Sequence, residues 1–311
     1  MKRRISVSSN KIEIFHYVQN DKVNIKTFYT MKKFILSLII IVSALQGIDA
    51  QPLRSDRFEE RTFSLGGGYT SLLDTYLSPL RYGGGQVALQ SERFGQLTCE
   101  NGRWFAQSLF TLHADYTTPR TGSGLTIGGM ADYSYTYYYE APLLSPQRGK
   151  FRLFIGPQGQ LRIGGIYNLR NSNNPAQLKL GINLAASAMG KYAFALWGTP
   201  MSVRLQADVP LFGFAFAPDY GQSYYEIFYL GHEENCVHVT APHNNLSLRT
   251  GLSYDVQFRS CTVRLSMLSD LYQWTLGRQQ YRMFTHSVML GYVSNLYHVW
   301  RDDEARQYIP Y

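Results

Sequence analysis

A hydrophobic alternation of period two, sustained over long stretches, limits this chain more than any other feature. From Leu246 to Phe258 the even positions read Leu246, Leu248, Thr250, Leu252, Tyr254, Val256 and Phe258. The odd positions are Ser247, Arg249, Gly251, Ser253, Asp255 and Gln257. Residues 124–137, 177–187 and 201–209 repeat the pattern, setting Ile127, Tyr133, Leu180, Ile182, Val203 and Leu205 against Thr126, Asp132, Lys179, Asn183, Arg204 and Asp208. Successive side chains of a strand point to opposite faces, so each stretch has one apolar face and one polar or small one. Strands of soluble sandwiches run to about 5–6 residues, and these are about twice as long. Lipid on one side and a polar interior on the other account for both properties. The expected fold class is all-β: a transmembrane antiparallel β-barrel.

Twelve strands are expected, near 61–72, 84–94, 103–116, 124–137, 151–167, 177–188, 191–198, 201–209, 222–230, 246–258, 261–271 and 283–297, with ten or fourteen as alternatives. An even number places both termini in the periplasm. The short link at Arg259-Ser260 then lies on the periplasmic side, and segments 73–83, 168–176, 231–245 and 272–282 lie outside.

An export signal fits a barrel of this kind. Met31-Lys32-Lys33 is followed by an apolar run from Phe34 to Leu45 and then by Gly47-Ile48-Asp49-Ala50. That is the layout of a secretory signal peptide cleaved after Ala50, and the apolar run is short of the roughly 20 residues of a spanning helix. Residues 1–30 read as an upstream extension from a start codon placed too early, residues 31–50 as the signal, and 51–311 as a single barrel domain in the bacterial outer membrane.

Charge and cysteine usage exclude several functions. The formal charge of +8 comes mostly from the first fifty residues, whose eight Lys/Arg and three Asp/Glu leave 22 basic against 19 acidic residues in the rest. No nucleic-acid footprint remains. Cys99, Cys236 and Cys261 have no metal-ligand spacing, and a Cys99–Cys261 bridge is geometrically open. No phosphate-binding or dinucleotide loop appears, so neither cofactor nor metal is expected.

Three local patterns go beyond periodicity: Leu73-Asp74-Thr75-Tyr76-Leu77-Ser78-Pro79-Leu80-Arg81-Tyr82-Gly83, Gly165-Ile166-Tyr167-Asn168-Leu169-Arg170-Asn171-Ser172-Asn173-Asn174-Pro175, and Phe216-Ala217-Pro218-Asp219-Tyr220-Gly221-Gln222-Ser223-Tyr224-Tyr225-Glu226-Ile227-Phe228. In this order they resemble an uncharacterised outer-membrane family of Bacteroides-like bacteria, the domain of unknown function 3316. The resemblance covers nearly all of 51–311. It implies compartment and architecture and supplies no chemistry.

The same patterns supply candidate contact residues for a partner or ligand: Asp74, Tyr76, Ser78, Arg170, Asn171, Asn173, Asn174, Asp219, Tyr220, Gln222, Ser223, Tyr224, Tyr225 and Glu226. Asn residues cap turns through their own side chains, Arg170 can pair with Asp74 or Asp219, and tyrosines suit either bracing or protein contact. Candidate lumen residues are Arg152, Arg162, Arg204, Arg249, Arg264, Asp132, Asp208 and Asp255, with Gly128, Gly156, Gly181 and Gly251 making room for the arginines. Mixed signs point to ion pairs across a narrow interior. No catalytic residue is assigned. His232, His238, His243 and His286 with Ser247 and Ser287 are the only material for a lipid hydrolase, and no G-x-S-x-G element accompanies them. The expected function is a non-enzymatic subunit or scaffold of an envelope assembly or export complex, with a small-solute channel as the alternative and a lipid-modifying hydrolase behind it. Expected partners are membrane lipid, lipopolysaccharide and another envelope protein.

Overall fold

The computed structural model describes residues 59–97, 103–122, 124–141, 151–171, 174–230, 235–258 and 261–295. The expected signal, its cleavage point, Asn173, His232, Cys99 and the Arg259-Ser260 link lie outside them. Eleven strands and one helix follow in order: β1 (Glu59–Asp74), β2 (Ser78–Gln96), β3 (Trp104–Pro119), β4 (Thr126–Glu140), β5 (Phe151–Asn168), β6 (Ala176–Leu196), β7 (Thr199–Phe216), α1 (Tyr224–Phe228), β8 (Val237–Thr240), β9 (Leu248–Gln257), β10 (Thr262–Leu276) and β11 (Gln279–Asn295).

Each strand pairs antiparallel with the next, β7 passes to β9, and β11 closes on β1. The ring is a closed barrel of ten strands. β8 stands outside the count: it pairs with Gly213–Phe216 of β7, above the Met201–Asp208 stretch that β9 covers. Ten is the lower of the counts expected, for two physical reasons. Residues 191–196 continue β6 and 197–198 form its hairpin turn, because Gly190 stays in register opposite Leu205 and does not break the strand. Residues 222–230 hold α1, whose N-cap Ser223 and Glu226 form a reciprocal capping box.

The register also sets the barrel's width. From Gly67 the ladder leads to Leu178 of β6 through β2–β5, and to Gly190 of β6 through β11, β10, β9 and β7, a stagger of twelve residues. Ten strands about 4.8 Å apart with that stagger tilt by about 40° and enclose a backbone cylinder of about 10 Å radius. Long side chains from facing walls meet inside such a cylinder.

The alternation falls as a membrane demands. Phe63, Leu65, Val87, Ile182, Leu205 and Leu290 are exposed on the outer face, while the intervening residues are buried inside. Both ends of the described chain lie at one end of the barrel, here the lower end. Two-residue hairpins close β6–β7 at Trp197-Gly198 (lower) and β10–β11 at Gly277-Arg278 (upper). All four residues have positive φ, the mirror-image turn that matches strand twist.

Candidate functional site

The interior is filled by polar side chains in three tiers. In the lower tier Arg264 of β10, only 2% exposed, bonds Glu60 of β1, Asp255 of β9 at 2.6 Å and Glu92 of β2 at 2.8 Å. Arg204 of β7 grips the same Glu92 with both ends of its guanidinium, at 2.6 and 2.7 Å. Lys191 of β6 stands 3.4 Å from Glu60. Three cations thus face three carboxylates, and Gln107 adds a bond to Glu92 at 2.5 Å. A bidentate arginine–carboxylate pair gives both direction and strength.

The middle tier joins two cations to two carboxylates. Arg162 of β5 bonds Asp132 at 2.5 Å and also Asp270, while Arg249 of β9 lies 3.2 Å from Asp132 and 3.0 Å from Asp270. The Arg162 guanidinium sits 3.9 Å from the centroid of the Tyr272 ring. Asp208, expected to meet an arginine, instead accepts from Ser187 at 2.5 Å and from Gln206 at 3.1 Å.

The upper tier has a single ion pair, Lys179–Asp74 at 2.8 Å, fully enclosed. The Lys179 ammonium lies 3.8 Å from the Tyr281 ring centroid and 4.8 Å from that of Trp274. Leu72, Tyr82, Met130, Ile166 and Met283 pack around this pair with the two rings. At the lower mouth Arg152 binds Glu140 in bidentate fashion at 2.7 and 2.8 Å, above the Phe105 and Phe154 rings.

Small cavities interrupt the filling. One of about 20 Å³ lies among Asp132, Arg162, Arg249 and Asp270, and one of about 30 Å³ among Glu92, Arg204, Arg264 and Gly251. Spaces of this size take about one or two water molecules each. Of the glycines expected to make room for arginines, Gly251 lines the larger cavity beside three of them. Gly128 makes room for Asp115 instead, since a Cβ there would overlap both carboxylate oxygens.

Above the upper tier the three sequence patterns interlock as a roof. The β1–β2 turn carries Tyr76, whose hydroxyl donates to the Gln222 carbonyl at 2.8 Å and whose ring meets Tyr224 edge-on. Asn171, from the β5–β6 connection, donates through Nδ2 to the Leu77 carbonyl at 3.1 Å. Tyr224 of α1 accepts from the Leu178 amide at 2.7 Å, just beyond Leu180, where β6 last pairs with β7. Gln279 of β11 reaches the Pro218 carbonyl at 2.5 Å. Burial and the neighbouring Asp74 carboxylate push the Tyr76 hydroxyl up to about 12, and burial raises Tyr224 further.

The candidate contact residues therefore divide. Asp74, Tyr76 and Tyr224 brace the roof internally, and Ser223 with Glu226 caps α1. Ser78 receives the Leu80 amide at 3.2 Å, and Asn171 receives that of Asn174. Gln222 accepts from the Asp219 amide at 3.1 Å and from the Cys236 thiol at 3.6 Å. Tyr220 and Tyr225 point to the outside, joined by Phe228 and Tyr229. Of the two acids considered for Arg170, Asp74 meets Lys179 and Asp219 lies 3.4 Å from Arg278. Neither Cys236 nor Cys261 is in a disulfide.

Among the described residues, Ser247, Ser287, His238 and His286 each bond elsewhere. Ser247 donates to Asn245 at 2.6 Å, Ser287 accepts from Gln86 at 2.5 Å, and His238 meets the Ala217 carbonyl. His286 pairs at 3.0 Å with Ser269 on the lipid-facing side. Among the described residues no group of three or more His, Cys, Asp or Glu can hold a metal ion.

These patterns sit within a longer match: the family model described as Protein of unknown function (DUF3316) covers residues 33–302. The chain belongs to the DUF3316 family. No curated protein matches this DUF3316 chain at a significant level. Among solved structures it is similar to the translocator domain of the autotransporter NalP from Neisseria meningitidis, at 11% identity and TM-score 0.34 over 85% of this chain and 97% of that one. The β domain of the Bordetella autotransporter BrkA gives 13% and 0.40 over 77% and 100%. The outer membrane protease OmpT from Escherichia coli gives 5% and 0.41 over 80% and 99%. Likenesses this distant carry no chemistry over to the DUF3316 barrel.

Five acidic residues of the interior, Glu60, Glu92, Asp115, Glu140 and Asp270, were absent from the sequence candidates, as were Lys179 and Lys191. Their signal was present. Each lies on the polar phase of its strand, Glu60 with Thr62 and Ser64, and Asp270 with Arg264 and Ser266.

Proposed function

We propose that this protein is a closed, non-enzymatic barrel of the bacterial outer membrane that acts through another envelope protein bound at its upper end. The observation that carries this is the filled interior: Arg264, spanning Glu60, Glu92 and Asp255, is buried where an open channel would leave it in water. A wide aqueous pore tends to sort its charges by sign for steering, whereas here cations and carboxylates pair within each tier. With ten strands the lower end faces the periplasm and the upper end the exterior. Residues 31–50 are the export signal in this reading. The exposed rings of Tyr220, Tyr225, Phe228 and Tyr229 form the contact surface, since rings with one polar end suit protein contact and the headgroup region alike.

Single-channel recording in planar bilayers tests the closure. The native protein is expected to pass little current, and the variant carrying both Arg204→Ala and Arg249→Ala more. A large, steady native conductance that the double variant leaves unchanged overturns the closed barrel in favour of a small-solute channel. Photo-crosslinking from position 225 in intact cells tests the partner: a discrete protein adduct supports it, and adducts to lipopolysaccharide alone reject it.

A further inference from the structure

We propose that the wall formed by β3 and β4 carries a binding site for a small monovalent cation, with the Asp115 carboxylate as its anionic ligand. Every carboxylate of the three tiers has a cation within 4.0 Å, and Asp208 accepts hydrogen bonds from Ser187 and Gln206. Asp115 breaks the rule. It is 3% exposed, and neither of its oxygens has a hydrogen-bond partner. An isolated carboxylate buried this way is costly, and a counter-charge relieves it.

The surroundings point the same way. Among the described residues, seven buried side-chain polar atoms without a hydrogen-bond partner belong to inward residues of β3 and β4: Thr111, His113, both oxygens of Asp115, Thr117, Thr126 and Ser134. The ladder aligns them in a column. Thr117 faces Thr126, Asp115 faces Gly128, and Thr111 faces Asp132 of the middle tier. Gly128 has no side chain where one would collide with the carboxylate, so the glycine leaves the space that the Asp115 carboxylate takes up. Hydroxyl oxygens above a lone carboxylate are ligands for a hard cation. One negative charge suits a monovalent ion, and no cluster of three acidic, His or Cys ligands is present among the described residues for a divalent one. The column ends at the Thr117–Thr126 pair, the upper end of the β3–β4 ladder.

The test uses the full-length protein in detergent at pH 8, unfolded by heat in sodium chloride, potassium chloride or N-methylglucamine chloride at equal ionic strength. Sodium or potassium at ten times its dissociation constant is expected to raise the midpoint by about 3–6 °C over N-methylglucamine. Asp115→Asn is expected to remove that difference and to melt higher than the native protein in N-methylglucamine. Thr126→Val, which keeps the carboxylate, is expected to weaken the ion response. Equal midpoints of the native protein in all three salts overturn the site, and so does an ion response that survives in Asp115→Asn. Infrared difference spectra provide a separate readout. A protonated-carboxyl band present at pH 8 with sodium, and missing from Asp115→Asn, would show that Asp115 is a neutral acid and overturn the proposal.

Discussion

The lower tier and the roof both close the barrel, but by different means. At the lower end closure is made by residues on the strand walls: Arg264, Arg204 and Lys191 reach across to Glu60, Glu92 and Asp255. At the upper end it is made by segments between strands, with Tyr76, Asn171 and Tyr224 tying three connections together. The difference is one of cooperativity. A charge on a wall is lost only when the strand pairing that positions it is lost. A loop-to-loop bond can break while the wall stays whole. Local opening therefore belongs to the roof.

The largest effect expected from this contrast is in the lower tier. Arg264→Met leaves three carboxylates short of a partner and should cost about 3–5 kcal/mol, read as a fall in the denaturant midpoint. The upper pair sharpens the comparison. Replacing Lys179 and Asp74 together, by Met and Leu, keeps an apolar surrounding of Trp274, Tyr281 and Leu72 intact and should be close to neutral. Arg264 has no such simple replacement, because it serves three acids at once. If Arg264→Met costs no more than the double upper change, the lower tier is no clasp.

The lipid face gives the next effect. Leu252→Arg should cost about 2–4 kcal/mol near mid-membrane. Ser253→Arg, one residue along, points at the cavity among Arg204, Arg249 and Arg264 and should impair insertion less. Folding yields into lipid vesicles decide it, and the reverse order would mean the opposite strand phase.

The same contrast explains what was legible in the sequence. The walls were, because period two is local: the phase that puts Leu252 outside puts Ser253 and Asp255 inside. Partner identity across the lumen was not, because it depends on the twelve-residue stagger, which no local pattern records. Arg204 meets Glu92 of β2 and not Asp208 of its own strand for that reason. The roof segments stood out as patterns, but their convergence joins residues as far apart as Tyr76 and Gln222. The segment 222–230 is one of the twelve strands expected, and it holds a helix instead. Ser223-x-x-Glu226 was the better signal, a capping box that starts a helix.

The smallest effect tests the roof itself. Tyr76→Phe keeps the ring against Tyr224 and removes only the hydroxyl that donates to Gln222, so the global cost should be about 0.5–1.5 kcal/mol. Its local consequence should be larger: hydrogen exchange in 217–230 should speed up while β1 and β10 stay protected. The native tyrosine also gives a pH signature. Its hydroxyl is raised from about 10 unfolded to about 12 in the roof. A raised acid contributes stability that is complete below the unfolded value and is lost as pH climbs through the folded one. Between pH 10 and 12 the native roof should therefore loosen progressively, and in Tyr76→Phe this part of the pH dependence should be missing. If the alkaline loosening of 217–230 is the same in both proteins, the Tyr76–Gln222 bond does not hold the roof, and closure at the upper end rests on the packing of Leu72, Trp274 and Tyr281 beneath it.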